Sequence, residues 1–398
     1  MQFRKIRNIF LILALLSVVS LISYRVGQGY SIVSNDQIDL SLMWRVKDRL
    51  SELYLDQNKI DKEKMKYGVI KGMVESLDDP YTVFLSPEEN KSSNEDLAGE
   101  FGGVGISLGY KDKTLAVMTT LSGTPAEKAG IKTNDLILKI TDKNKNIEKD
   151  TTGISLSEAV EIIRGEIGTE VTLNMYREGE KAAYDVTLKR ANIVVKSVEL
   201  EWKELDGKRV AWVKLNKFTE KLFTEWPSVV EEIKSGKRSD FGGVVLDLRN
   251  NPGGYLEGSV LVASDFIKSG VIVKQETTKG VIQEYKVDES MGGLLSEKLV
   301  VLVNGGSASA SEILAGALKE YGRAKLVGVK TFGKGTVQQP EDFSDGSGIH
   351  ITVAKWLLPS GKNIHGDGVE VDVEIEDSLE IDSDEDLQLN KAIEVLNE

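Results

Sequence analysis

Cysteine is absent from the 398 residues, and histidine occurs only as His350 and His365. The first absence excludes a disulfide framework, thiolate metal sites and a lipid-modified N-terminal cysteine, though it does not fix the redox compartment. Two histidines are too few for an ordinary zinc site and leave few candidates for a histidine-based triad. Positive charge is also short, with 50 Lys and Arg against 63 Asp and Glu and a net charge of −13. So anionic a chain lacks the basic surface that neutralises phosphates, which argues against nucleic acid as a partner. The glycine-rich loops are followed by neither GK[ST] nor the G-x-G-x-x-G spacing, so no nucleotide cofactor is implied.

Basic residues open the chain (Arg4, Lys5, Arg7), and residues 9–23 are apolar apart from three serines, with Tyr24 and Val26 able to extend the run. Charge followed by a hydrophobic stretch is a signal-type pattern. No clear A-x-A site follows, so an uncleaved anchor is preferred over a removed signal peptide. The N-terminus would then be cytoplasmic and the rest extracytoplasmic, at the cell membrane. With its linker this segment takes residues 1–34. Residues 35–98 carry helical spacing, with Leu40, Met43, Trp44, Val46, Leu50 and Leu53 able to share a face and a second helix over 62–76; residues 84–87 read as loop.

Residues 99–190 read differently. Short apolar or alternating runs at 115–118, 136–140, 171–176 and 184–188 predict strands, with helical pieces at 125–129 and 157–164 between them. The glycine-rich Gly103-Val104-Gly105-Ile106, this order of elements and SGTPAEKAGIKTNDLILKI resemble a PDZ domain. Such a domain captures a peptide by strand addition, and loop N–H groups hold the terminal carboxylate. Arg164 ends the second helical piece with glycine after it, which is compatible either with a local helix cap or with a link to the next domain.

From 191 to 373 the chain predicts a mixed core, with strands at 210–215, 241–248, 299–303 and 348–356. The strand near 241–248 runs into Arg249-Asn250-Asn251-Pro252-Gly253-Gly254, a turn able to bring N–H groups near a reacting carbonyl. Asp247 and Arg249 are expected to form an ion pair that holds this turn. Residues 299–303 lead through Asn304-Gly305-Gly306 into a helix with Ile313, Leu314, Ala317 and Leu318 on one face. Ser309 at that turn suits a nucleophile, because free N–H groups at a helix start face a developing oxyanion. Ser309-x-x-Glu312 is equally a capping box. Lys334, between Gly333 and Gly335, is the available base. To act it must be buried, because lowering a lysine from about 10.4 by three units takes roughly 4 kcal/mol.

SASASEI followed by FGKGTVQ resembles the carboxyl-terminal processing (tail-specific) proteases, a Ser/Lys family, and the likeness runs over nearly all of the chain after the N-terminal segment. It implies Ser309 as nucleophile, Lys334 as base 25 positions later, and Gln338 as the residue that positions the lysine. It further implies an oxyanion hole from Ala310 with Gly253 or Gly254. Val371 departs from the proline often found there, in a loop away from these motifs.

The expected molecule is an α+β, membrane-anchored serine endopeptidase with an N-terminal helical segment. A PDZ domain is inserted ahead of its mixed α/β protease core, with Arg164 as a candidate link between the two. It takes protein substrates with apolar C-termini and needs no metal or other cofactor. The alternative is a silent PDZ adaptor that binds tails without cutting them; histidine-dependent PDZ proteases are disfavoured, because their Gly-x-Ser-x-Gly site is missing. The acidic segment 374–398, with helical spacing at its end, is expected to be a solvated tail or a homodimer contact.

Overall fold

The computed structural model describes residues 38–205, 207–376 and 386–398. The expected anchor lies outside them, and no helix among the described residues is long and apolar enough to cross a membrane. The chain divides into two units, Met1–Val69 and Ile70–Glu398. The described part of the first holds helix α1 (Ser41–Leu53), a 3-10 turn and the start of α2 (Lys62–Glu75). No residue of α1 is buried, and Leu42, Trp44, Val46 and Leu50 stay exposed.

In the second unit β1 (Val83–Leu85) occupies the stretch expected as loop, and α3 (Pro87–Ala98) follows it. Ser86 starts α3 with a capping box to Glu89, and Gly99 ends it in a left-handed conformation. Next come β2 (Glu100–Gly103), β3 (Ile106–Lys111), β4 (Thr114–Thr120), α4 (Pro125–Lys128), β5 (Leu136–Asp142), β6 (Ile147–Asp150), α5 (Leu156–Ile163), β7 (Glu170–Tyr176), β8 (Tyr184–Lys189) and β9 (Ala191–Val194). Strands β3 to β8 form one sheet around a separate core of Leu115, Ile137, Leu173 and Met175. β2 pairs antiparallel with β9, Glu100 against Val194. The inserted domain therefore enters and leaves at one place.

The remaining elements are β10 (Val198–Leu205), β11 (Lys208–Leu215), α6 (Leu222–Gly236), β12 (Phe241–Asp247), α7 (Leu256–Phe266), β13 (Val271–Thr277), β14 (Gly280–Lys286), β15 (Leu299–Val303), α8 (Ala310–Glu320), β16 (Lys325–Gly328), β17 (Thr336–Asp342), β18 (Gly348–Leu357), β19 (Val373–Glu374) and α9 (Leu387–Asn397). One sheet runs β10-β11-β12-β15-β16-β19, parallel from β11 onward. All five residues of β15 are buried, the continuous apolar run that a two-sided parallel strand requires. One face packs against α6, α7 and α8, where Ile313, Leu314, Ala317 and Leu318 are almost wholly buried. Each large apolar side chain so placed contributes about 1.5–3 kcal/mol, and together they fix the rotation of α8 and hence the position of Ser309.

The other face is covered by α9, which corrects the expectation for the chain's end. Leu389, Ala392, Ile393 and Leu396 pack on Val210, Trp212, Val245, Val300 and Leu302. The end of the chain is thus part of its own core, because the parallel sheet needs both faces covered. A second protease sheet joins β1, β18, β13 and β14, with β17 also paired to β18.

Candidate active site

Two glycine turns meet where the parallel neighbours β12 and β15 end. Ala308 N–H donates to Asn251 O at 3.0 Å, Ser311 Oγ to the same carbonyl at 2.9 Å, and Ser307 Oγ to Leu248 O at 2.7 Å. Across them Asn250 N–H donates to Asn304 Oδ1 at 2.8 Å. Polar groups that a buried turn would otherwise leave unsatisfied thus bind one turn to the other.

Ser309 precedes α8 with φ 55° and ψ −115°. For a non-glycine residue this is a strained conformation, of the kind concentrated at functional sites. The strain is held by Glu312, which is fully buried. Its Oε2 accepts from Ser309 N–H at 2.9 Å and from Lys334 N–H at 2.8 Å, and its Oε1 accepts from Gly333 N–H and Thr331 Oγ1, both at 2.6 Å. One carboxylate fastens the serine turn to the lysine loop. Sequence reasoning saw in Glu312 only the capping-box partner; three of its four donors lie around position 333, far beyond the reach of a local motif.

The lysine loop is pressed against the chain at 364–368. Gly333 has φ 94°, and a Cβ there would stand 3.0 Å from Gly368 N; a Cβ on Gly335 would stand 2.7 Å from His365 N. Side chains on either flank would push Lys334 away. Its carbonyl accepts from Trp356 Nε1 at 2.9 Å. Burial pushes the Lys334 ammonium below the ordinary lysine value, against the opposing pull of the Glu312 and Asp79 charges. The side chain is only half-buried, so its proton can still exchange with groups in the cleft.

Ser309, Lys334, Gln338 and Gly254 line one cavity of about 530 Å³, within the range of ligand sites. Gln338 Nε2 donates to Thr336 Oγ1 at 3.0 Å and to Thr352 Oγ1 at 3.1 Å. The two candidate oxyanion glycines separate. Gly253 N–H is taken by Asn251 Oδ1 at 2.9 Å, whereas the N–H groups of Gly254 and Ala310 donate to no described residue. Gly253 serves close approach instead, since a Cβ on it would come within 2.8 Å of Ser309 Cβ. His350 was not singled out from sequence, yet it lines the cavity with a buried Nε2 that has no partner. Burial, then the Lys334 charge, lowers its pKa.

Asp247 and Arg249 form the expected ion pair (Nη2 to Oδ2, 2.7 Å), and Arg249 also reaches Asp386 at 2.7 Å, just ahead of α9. In the inserted domain Val104 O accepts from Ala126 N–H and Gly105 O from Leu121 N–H, both at 2.9 Å. With the carbonyls so tied, the N–H groups of Val104 and Gly105 donate to no described residue. Gly103 ends β2 and Ile106 opens β3, an edge strand of its sheet. Arg164 caps nothing with its side chain. The last carbonyls of α5 are taken by Lys145 and Arg190, while Arg164 Nη1 bonds Asp96 Oδ1 on α3 at 2.8 Å and its guanidinium lies over Phe101, 3.8 Å from the ring centre.

Residues 209–375 match peptidase family S41, residues 102–188 match the PDZ domain, and residues 28–89 match the N-terminal domain of the activating protease CtpB. A probable CtpA-like serine protease of Staphylococcus aureus (strain MSSA476) is 39% identical over 369 residues, spanning 92% of this chain and 70% of that protein. The chain belongs to peptidase family S41. Among solved structures, a photosystem II D1 C-terminal processing protease is similar with TM-score 0.54 and 30% identity, over 92% of this chain and 98% of that one. A putative S41 protease from Bacteroides fragilis shares the fold (TM-score 0.56, 18% identity, 88% and 96% covered). This S41 protein is a serine protease that carries a PDZ domain ahead of its protease domain.

Proposed function

We propose that the protein is an endopeptidase in which Ser309 attacks the scissile carbonyl and neutral Lys334 takes its proton, returning it to the leaving amine. The observation that carries this is the single carboxylate of Glu312, which binds the N–H groups of both Ser309 and Lys334 beside a cavity that both side chains line. Ala310 and Gly254 N–H groups receive the oxyanion, a choice supported by their lack of any described partner. Gln338, its amide nitrogen engaged by two threonine hydroxyls, positions Lys334 in this reading, a role supported by its place in the same cavity.

In this reading the loop Gly103-Val104-Gly105-Ile106 takes the C-terminal carboxylate of an apolar protein tail, and strand β3 pairs with the tail. Arg164 carries the state of the PDZ domain to the protease through Asp96. The basic and apolar N-terminus anchors the protein in the cell membrane, with the catalytic portion extracytoplasmic.

The test is to incubate an unfolded protein bearing an apolar tail with wild type, Ser309→Ala and Lys334→Ala. Wild type is expected to yield internal fragments. Each variant is expected to lose about 10⁴-fold or more in rate while still binding the tail, since the members of a catalytic unit fail together. Substantial cleavage by Lys334→Ala would overturn the Ser/Lys assignment.

A further inference from the structure

The base has a neighbour that the Ser/Lys reading does not use. Lys334 Nζ lies over the face of Tyr81, 5.3 Å from the ring centre. Tyr81 sits in the loop between α2 and β1, and the loop is pinned from both sides. Asp79 accepts from Tyr81 N–H at 3.0 Å and from Thr82 Oγ1 at 2.7 Å, while Thr82 Oγ1 accepts from Thr352 N–H on β18 at 3.0 Å. The strand that follows continues the attachment, with Val83 opposite His350. On another side the Tyr81 ring meets His365 edge-on at 5.9 Å.

We propose that Tyr81 is a further residue of the active site, its ring face binding the Lys334 ammonium that forms during catalysis. The proposal rests on the Ser/Lys reading above. As Ser309 Oγ bonds to the carbonyl carbon, its proton passes to Nζ and the carbonyl electron pair moves to oxygen. The ammonium later gives that proton to the leaving nitrogen, so no further reactant is needed. A carboxylate touching Nζ would hold the lysine charged at rest and unfit as a base. The ring carries no net charge, but its negative face attracts a cation within about 6 Å, more strongly where water is excluded. It therefore stabilises the ammonium without committing the resting lysine to it. The other charged or titratable groups facing Lys334 are Glu312 from α8, Asp79 from the Tyr81 loop and His350 from β18, with His365 beyond the ring.

The competing role for Tyr81 is to exclude water, and the two roles have opposite signs. A cation-binding ring raises the pKa of Lys334, so weakening it must lower that pKa. A merely desolvating ring depresses the pKa, so removing it must raise it.

The experiment measures kcat/KM of the full chain on labelled unfolded casein between about pH 5 and pH 10. The chains compared are wild type, Tyr81→Phe, Tyr81→Leu, and Tyr81→Phe with successive fluorines on the ring, which weaken the face at constant shape. Tyr81→Phe keeps the ring face and is the reference against which the fluorine series is read. The fluorine series and Tyr81→Leu are expected to move the acid limb to lower pH, by about 0.5–1.5 units in all, and to lower the plateau by about 3- to 30-fold. A flat fluorine series, or an acid limb that moves upward when the ring is lost, overturns the proposal even if Tyr81→Leu fails to fold. Lys334→Ala separates the two readings. If it stays active, the Ser/Lys assignment falls and takes this proposal with it; if it is inactive while the fluorine series is flat, only the role of Tyr81 falls.

Discussion

The two places where separate parts of the chain meet near the cleft are built in opposite ways. Ser309 and Lys334 are tied by a fully buried carboxylate with four donors, three of them backbone N–H groups. Arg164 of the PDZ domain reaches α3 through an ion pair with Asp96, whose side chains are 22% and 39% exposed, and a long hydrogen bond of 3.4 Å to Ser92 Oγ, with an aromatic ring beneath the arginine. A charged acceptor with a buried hydrogen bond is worth about 1.5–3 kcal/mol per bond, whereas an exposed ion pair contributes about 0–1 kcal/mol. The catalytic turn is thus preassembled, and the connection to the PDZ domain is weak enough to be made and broken.

The largest break in the comparison is Glu312→Gln. A carboxamide has one acceptor oxygen and would turn its NH₂ group toward two of the donors now satisfied. The expected loss is about 2–4 kcal/mol of stability, from leaving buried donors unmade. Activity should drop by about 10²- to 10³-fold, because displacing reacting groups by about 1 Å has that cost. Chemical denaturation and kcat on a short peptide measure the two effects. Near-normal activity would mean that the serine turn and the lysine loop hold their geometry without the carboxylate.

Glu312 also shows where sequence legibility ended. The strands β12 and β15 were legible because strands buried on both faces read as apolar runs, and Ser309 and Lys334 stood out through their glycine neighbours. Four PDZ strands, β4, β5, β7 and β8, were legible as apolar or alternating runs and lie within a residue or two of their expected bounds, whereas β3 and β6 were given no bounds. A capping box, however, is a four-residue pattern, and nothing in it announces donors some twenty residues ahead. Tyr81 and Asp79 were hidden for a similar reason, since only the pairing of β1 with β18 brings their loop to Lys334. Pro227 inside α6 concealed a helix whose Leu222, Trp226, Val230 and Ile233 are buried. The chain's end misled by composition, because on α9 itself Glu394 is exposed while Leu389, Ala392, Ile393 and Leu396 close the sheet.

A pH change is expected to act on the preassembled part with a defined sign. Burial lowers the Lys334 pKa below the unfolded value. The neutral base is therefore lost as pH falls through that lowered value, and kcat should decline on the acid side, tenfold per unit once well below it. Stability follows the same direction. Between the lowered folded pKa and the ordinary lysine value the unfolded chain binds the extra proton, so the contribution of Lys334 to stability rises with pH and is least favourable at low pH. A kcat flat across this window, with chemistry rate-limiting, would contradict the assignment of the base.

The smallest expected effect belongs to the weak connection, and it decides whether that connection carries information. Asp96 is shared, because Arg164 holds one oxygen and Lys217 stands 3.8 Å from the other. Lys217 and Asp96 both line the cavity, and burial lowers the Lys217 pKa. The next residue, Phe218, donates its N–H to Gly253 O at 3.0 Å and accepts from Tyr255 N–H at 2.9 Å, so its backbone brackets Gly254. Freeing Asp96 from Arg164 would leave it wholly to Lys217 and shift the segment after β11 that carries Phe218. Arg164→Ala is therefore expected to lower kcat on a short peptide without a tail by about 2- to 10-fold, the scale of an ordinary coupling free energy. The melting temperature should change little, since the pair is partly exposed and α5 keeps its carbonyl partners from Lys145 and Arg190. Unchanged turnover would leave Arg164 as a contact that only holds the PDZ domain against α3.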